Sequence, residues 1–208
     1  MTSRGRDRLA LLTDEELVAM SQEGDVAAFN SLAARWESSL YGLARRTLGN
    51  AEDARDVCQE ALVKAYLNIR RLRERSKFKA WAHHIVFNIC RDRFRSAQAT
   101  AETRPYEEGG PDELQIAGAR SRATGHAASP DHHAARAHTR GVLGAALRRL
   151  PSEQRTSILL REYHGFTSEE IGEITGVPAA TVRTRIYYGL RAMRKILRER
   201  GITEPDQL

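Results

Sequence analysis

Apolar residues recur every three or four positions over two long stretches of the chain, and polar residues fill the positions between them. That spacing predicts amphipathic helices, because a helix turns about 100° per residue and gathers such positions on one side. Thr13-Asp14-Glu15-Glu16 reads as a capping box, with Thr13 as N-cap and Glu16 reaching back, and Leu17 and Met20 supply the apolar face that follows. Asp25 opens a second helix that carries Phe29, Leu32, Ala33, Trp36, Leu40 and Leu43, and Gly49-Asn50 breaks it. A third helix is predicted from Ala51 to about Ile69 and a fourth from Ala80 to Arg95, with Trp81, Ile85 and Ile89 at core spacing. Beyond Ser96 the pattern fades. Residues 96–138 are rich in Ala, Gly, Ser, Thr and Pro, with Gly109-Gly110-Pro111 and Ser129-Pro130 as breakers, and read as a linker unable to bury a core of its own. Periodicity returns from about Thr139. The expected fold is therefore all-α, with helical domains at 12–95 and 139–200 joined by a long flexible linker.

The second helical stretch holds the most specific layout. Val142, Leu143, Ala146, Leu147 and Leu150 form one amphipathic helix, ended by Pro151, and Ser152 starts another that carries Ile158, Leu159 and Leu160. Thr167 and Glu170 form a second capping box, Ile171 and Ile174 face inward, Gly176 suits a left-handed turn, and Pro178 suits the first turn of the next helix. A short helix, a glycine turn and a longer helix make a helix-turn-helix. Val182, Ile186, Gly189, Leu190, Met193 and Leu197 are expected on one side of the longer helix. Ala180, Thr181, Thr184, Tyr187, Tyr188 and Arg191, flanked by Arg183, lie on the other, where they would enter a DNA major groove. From Arg183 to Arg200 seven basic residues face Glu199 alone, which suits phosphates.

Charge adds two features in the first stretch. Asp53, Asp56 and Glu60 fall within about 60° of one another on their helix, beside an apolar arc of Ala54, Val57, Cys58, Ala61, Leu62 and Ala65. This stripe fits either a solvated face or a docking face for a basic partner helix. The segment Asn68 to Trp81 carries Arg70, Arg71, Arg73, Arg75, Lys77 and Lys79 against Glu74 alone, with Phe78 and Trp81 interleaved. Cations for phosphates beside rings that stack on bases suit single-stranded DNA; Phe78 and Trp81 equally fit the core of the following helix.

Composition narrows the classes. The chain has 208 residues, a formal net charge of +6 and only 6% aromatics, and no Val/Ile-rich alternating run signals a sheet. No apolar run approaches a membrane span and no apolar h-region follows the basic N-terminus, so the expectation is a cytoplasmic protein without signal peptide or membrane insertion. Cys58 and Cys90 form no CxxC pair and read as small core fillers. Asp131-His132-His133 with His138 reads as a His-bearing linker rather than a metal site. No nucleophile motif, nucleotide-binding fingerprint or metal-ligand spacing is present, so no catalytic residue, metal or cofactor is expected.

Taken together, the motifs resemble the extracytoplasmic-function (ECF) group of bacterial RNA polymerase sigma factors. Asp53-Ala54-Arg55-Asp56-Val57-Cys58-Gln59-Glu60 is similar to the family's region 2.2; Trp81, Ile85, Asn88, Asp92 and Arg95 stand at the spacing of region 2.4; Leu150-Pro151, Gly165-Phe166 and Ile171 through Arg185 match region 4. The resemblance implies that Asp53, Asp56, Gln59 and Glu60 dock on the clamp coiled coil of core RNA polymerase. It implies that residues 70–81, with Asn88 and nearby His84, open and hold the −10 element, that the final helix reads the −35 element, and that an anti-sigma factor is a possible further partner. Many members carry arginines where Tyr188 and Leu190 stand here, and a Leu where Ala82 stands. Two other classes stay open on the residues alone. An operator-binding regulator explains the helix-turn-helix but not the acidic stripe or the basic-aromatic segment, and an enzyme with a DNA-binding appendage lacks a catalytic constellation.

Overall fold

The computed structural model describes residues 8–102 and 141–199. Among these residues the fold is helical throughout, with turns between helices and no strand. The chain divides into two compact units, the first gathering 8–102 with Leu159–Arg183 and the second 141–158 with 184–199.

In the first unit, α1 spans Asp14–Gln22, α2 Val26–Leu48, α3 Ala51–Asn68 and α4 Phe78–Glu102. The caps are local and specific. Thr13 Oγ1 accepts from the Glu16 amide at 3.3 Å while the Glu16 carboxylate accepts from the Thr13 amide at 2.7 Å. That reciprocal pair satisfies two of the amides a helix start leaves open. Asp25 accepts from the amides of Ala27 and Ala28 and starts α2. Gly49 ends α2 in the left-handed region at φ 84°, which costs glycine least. Asn50 then caps α3 through the Glu52 amide.

The core of this unit is built from the stripes these helices present. Leu17 and Val18 of α1, Phe29, Leu32, Leu40 and Leu43 of α2, and Ala54, Val57, Cys58, Ala61 and Ala65 of α3 are buried. Small residues dominate the α3 stripe, so α2 and α3 can approach closely. Burial pushes the Cys58 thiol up to about 11 and the Cys90 thiol to about 12, which leaves both unreactive.

The fourth helix departs from the sequence pattern in two ways. It begins at Phe78, not Ala80, and it continues to Glu102. Its buried stripe is Phe78, Ala82, Val86, Ile89 and Cys90, while Trp81 and Ile85 are only half-buried. The phase is set by Phe78, whose ring is 1% exposed and anchors the helix start. The smaller Ala82 follows four residues later, leaving the Trp81 ring at the margin, 5.9 Å from the Phe78 ring.

Two short 3₁₀ turns, Ile69–Arg71 and Arg75–Lys77, connect α3 to α4. Neither has a side-chain cap at its own N-terminus. Ser152–Glu162 forms α5, Ser168–Thr175 α6 and Ala179–Glu199 α7, and residues 141–148 are also helical. The capping box of α6 forms as its sequence predicts, with Thr167 and Glu170 exchanging bonds at 2.8 and 3.2 Å. Gly176 closes α6 at φ 72°. Pro178 stands at the N-cap position of α7, and its carbonyl accepts the Val182 amide to close the first hydrogen-bonded turn.

Candidate nucleic-acid and polymerase interfaces

The acidic stripe of α3 lies at the surface beside α4. Asp56 and Gln59 are exposed, and Asp53 and Glu60 are half-buried. Arg93 of α4 reaches both half-buried carboxylates, with Nη1 3.5 Å from Asp53 and Nη2 3.9 Å from Glu60. Glu60 also pairs with Lys64 one turn on, at 2.7 Å. Arg93 therefore neutralises one edge of the stripe and leaves Asp56 and Gln59 facing solvent. The stripe continues in apolar residues: Val63 is 57% and Leu67 72% exposed. Asp53, Asp56, Glu60, Val63 and Leu67 are spaced three and four apart, so they form one seam along the helix. The apolar extension stands in the sequence at that same spacing, beyond the charged residues of the stripe.

The basic segment runs through the two 3₁₀ turns. Arg70, Arg71, Arg73, Arg75 and Lys77 are exposed. Gln22, at the end of α1, holds this segment. Its amide nitrogen donates to the carbonyls of Ile69 and Leu72 at 3.1 and 2.8 Å. Its side-chain oxygen accepts from Arg75 Nε at 3.0 Å, and its backbone carbonyl from Arg70 Nε at 3.1 Å.

Along α4, Trp81, His84 and Asn88 fall on one half-buried ridge. His84 Nδ1 lies 2.8 Å from the carbonyl of Ile174, and the Asn88 amide nitrogen 2.7 Å from His84 Nε2. Lys79 donates to the His164 carbonyl at 2.6 Å and sits 4.3 Å above the Phe166 ring. Lys77 binds the Glu173 carboxylate at 3.2 Å, which raises its pKa above the ordinary lysine value. Within this unit, then, three of the residues expected to meet DNA are engaged by the segment 164–174.

A buried polar cluster stands behind them, and sequence reasoning missed it. His83 is fully buried. Its Nδ1 faces the Lys79 carbonyl at 2.7 Å, and its Nε2 faces Ser39 Oγ at 3.1 Å and His164 Nδ1 at 3.3 Å. A carbonyl only accepts, so His83 Nδ1 carries the proton and Nε2 accepts. Burial holds the His83 pKa down to about 4 and that of His164 to about 3, where the charge of His83 adds to the effect of burial. Both rings are neutral at ordinary pH. No signal in the sequence joins positions 83 and 164.

On α7 the expected reading residues are all exposed: Ala180, Thr181, Arg183, Thr184, Tyr187, Tyr188 and Arg191. The Arg183 guanidinium lies 3.2 Å from the Glu169 carboxylate of α6. The Tyr187 and Tyr188 rings meet edge to face, with centroids 5.3 Å apart. The opposite side buries Val182, Ile186, Gly189, Ile196 and Leu197, with Met193 half-buried. Leu190, expected among them, is 37% exposed, because it falls at the edge of the buried arc, about 20° beyond Leu197, while Ile196 lies at the opposite edge. Gly189 suits a close approach, since a Cβ there would stand 2.7 Å from Ile158 Cδ1.

Among the described residues no helix is long and apolar enough to cross a membrane, and no group of three or more His, Cys, Asp or Glu could hold a metal ion. Asp131, His132, His133 and His138 lie outside the described residues.

Comparison with known proteins places the chain in a family. The Sigma-70 region 2 family model matches residues 32–100, and the Sigma-70 region 4 model matches residues 140–193. The chain is 30% identical over 191 residues to the RNA polymerase sigma-H factor of Pseudomonas aeruginosa, covering 88% of this chain and 93% of that protein. It is 31% identical over 178 residues to the ECF RNA polymerase sigma factor SigW of Bacillus subtilis, covering 86% and 93%. It is 31% identical over 190 residues to the ECF RNA polymerase sigma-E factor of Escherichia coli, covering 88% and 93%. The fold is shared with two solved structures at a TM-score of 0.63 each. One is the sigma factor RpoE in complex with the anti-sigma factor NepR from Bartonella quintana, 19% identical, covering 83% of this chain and 98% of that one. The other is CnrH in complex with the cytosolic domain of CnrY, 23% identical, covering 89% and 97%. The chain belongs to the ECF group of the sigma-70 family and is a sigma factor that directs transcription initiation.

Proposed function

We propose that this sigma factor divides its work among three surfaces. The seam of α3 docks on core RNA polymerase, with Asp53, Asp56, Gln59 and Glu60 supplying charge and Val63 and Leu67 apolar area. The basic-aromatic segment, Arg70 to Trp81, with His84 and Asn88, opens the −10 element and holds the displaced strand. The N-terminal half of α7 reads the −35 duplex. Domain limits of 12–95 and 139–200, with 96–138 as connector, follow from this division.

The observation that carries the reading is the mixed seam itself. A surface row at three-four spacing, half-buried to exposed, acidic at one end and apolar at the other, matches how helices dock side by side. An operator-binding regulator needs no such row on a helix remote in sequence from its helix-turn-helix. The chain is read as a non-catalytic subunit working in the cytoplasm on polymerase and promoter DNA. By extension from the RpoE–NepR and CnrH–CnrY complexes, an anti-sigma factor is proposed as its regulator.

Run-off transcription with purified core polymerase over fragments of the source genome tests the proposal. Initiation from a discrete set of promoters that depends on this chain supports it. The absence of any promoter-dependent product would refute it.

A further inference from the structure

The geometry assigns to Gln22 the role of a positioning residue for the DNA-facing arginines, a role that rests on the reading of residues 70–81 as the −10 segment. Gln22 closes α1, and the segment it holds lies 47 to 53 positions further along the chain. Every polar group of its side chain is used. The two amide hydrogens go to the carbonyls of Ile69 and Leu72, which frame the first 3₁₀ turn, and the side-chain oxygen takes Arg75 Nε. The backbone carbonyl of Gln22 takes Arg70 Nε.

The choice of atoms matters. An arginine has five N–H donors in a rigid fork. Gln22 occupies only the inner one on Arg70 and on Arg75, and both residues are otherwise exposed. The two terminal nitrogens of each arginine, with four donors between them, keep their capacity for bidentate phosphate contact. Each guanidinium is thus oriented before DNA arrives, and the cost of ordering a long side chain on binding falls. A short connector of 3₁₀ turns without side-chain caps would otherwise leave those arginines on a loosely fixed backbone.

The test uses the full-length chain and a fluorescent single-stranded −10 oligonucleotide read by anisotropy, with promoter opening by the holoenzyme followed alongside. Gln22→Ala is expected to weaken oligonucleotide binding and slow opening by about tenfold, the effect of roughly one net hydrogen bond or slightly more. Gln22→Met, which keeps the volume and loses the polar groups, should behave alike if the alanine variant folds poorly. Core polymerase affinity should be unchanged in both. The decisive readout is coupling. In an Arg70→Ala/Arg75→Ala background, Gln22→Ala or Gln22→Met should add less than twofold. Full additivity, or wild-type binding by both Gln22 variants while the arginine variants lose binding, overturns the assignment and leaves the −10 reading intact. Wild-type binding by the Arg70→Ala/Arg75→Ala variant removes these arginines from the −10 reading and the assignment with them.

Discussion

His84 Nδ1 stands 2.8 Å from the carbonyl of Ile174, and that bond orients the residue beside it. The carbonyl accepts only, so Nδ1 donates to it, and in the neutral ring Nε2 is the acceptor. The Asn88 amide nitrogen, 2.7 Å from Nε2, donates to it. The amide of Asn88 is thereby turned with its nitrogen toward His84, and its oxygen remains for a further donor. Asn88→Asp replaces the donor with a carboxylate that repels the Nε2 lone pair. The expected result is a loss of about 1–3 kcal/mol in affinity for a single-stranded −10 oligonucleotide, the usual scale of a misread base contact. Anisotropy titration checks this, and unchanged affinity would take Asn88 off the reading surface.

The imidazoles of buried His83 and half-buried His164 give the first unit an acid-sensitive cluster. His83 and His164 have folded-state pKa values of about 4 and about 3, below the ordinary 6.5. As pH falls through 6.5 the unfolded chain binds protons that the folded chain refuses, so stability declines from there, most steeply above about pH 4 and on down to about pH 3. Above pH 6.5 both states are neutral and the contribution is flat. Thermal unfolding should show Tm dropping across that window. His164→Gln should flatten the drop, because one refused proton is gone; an equally steep profile would argue against the cluster as its source.

Gly172 packs where α6 turns toward α7. A Cβ at this position would meet the Val177 carbonyl oxygen at 2.7 Å and the Ala179 amide nitrogen at 3.5 Å. Backbone atoms cannot swing aside as a side-chain tip can. Gly172→Ala is expected to destabilise the helix-turn-helix by about 1–3 kcal/mol through overpacking. Urea unfolding measures it, and a neutral effect would mean the turn relaxes freely.

Arg183 and Glu169 form an exposed ion pair at 3.2 Å, of the kind that adds little to stability. Its interest lies in DNA binding. Arg183→Ala should weaken −35 duplex binding by about 1–3 kcal/mol. Glu169→Ala should leave Tm nearly unchanged. Gel shifts with wild-type and scrambled −35 sequences separate base reading from phosphate contact, since a phosphate contact weakens both alike.

Much of this architecture was legible because its signals are local. The pairs Thr13 with Glu16 and Thr167 with Glu170 lie three residues apart, and each capping box forms as written. Asp25, Gly49 and Gly176 likewise act on their own turns. The exposed face of α7 followed from helical phase alone. What escaped involves partners distant in the chain. Gln22 meets residues near 70, Arg93 meets Asp53, and His83 meets His164. Nothing in the spacing of polar residues announces such meetings. The phase of α4 was misjudged for a related reason. Trp81 and Ile85 are the larger apolar residues, but the buried stripe runs through Phe78, Ala82 and Val86, with neutral His83 among them.

In the proposed reading the seam on α3 separates a polymerase subunit from an ordinary DNA-binding protein, and Asp56 is its exposed charge. The most direct measurement is the affinity of Asp56→Arg for core RNA polymerase, with folding verified by circular dichroism and −35 duplex binding as an internal control. A loss of core binding by at least tenfold with duplex binding unchanged is expected. Core affinity equal to that of the unaltered chain would contradict the account.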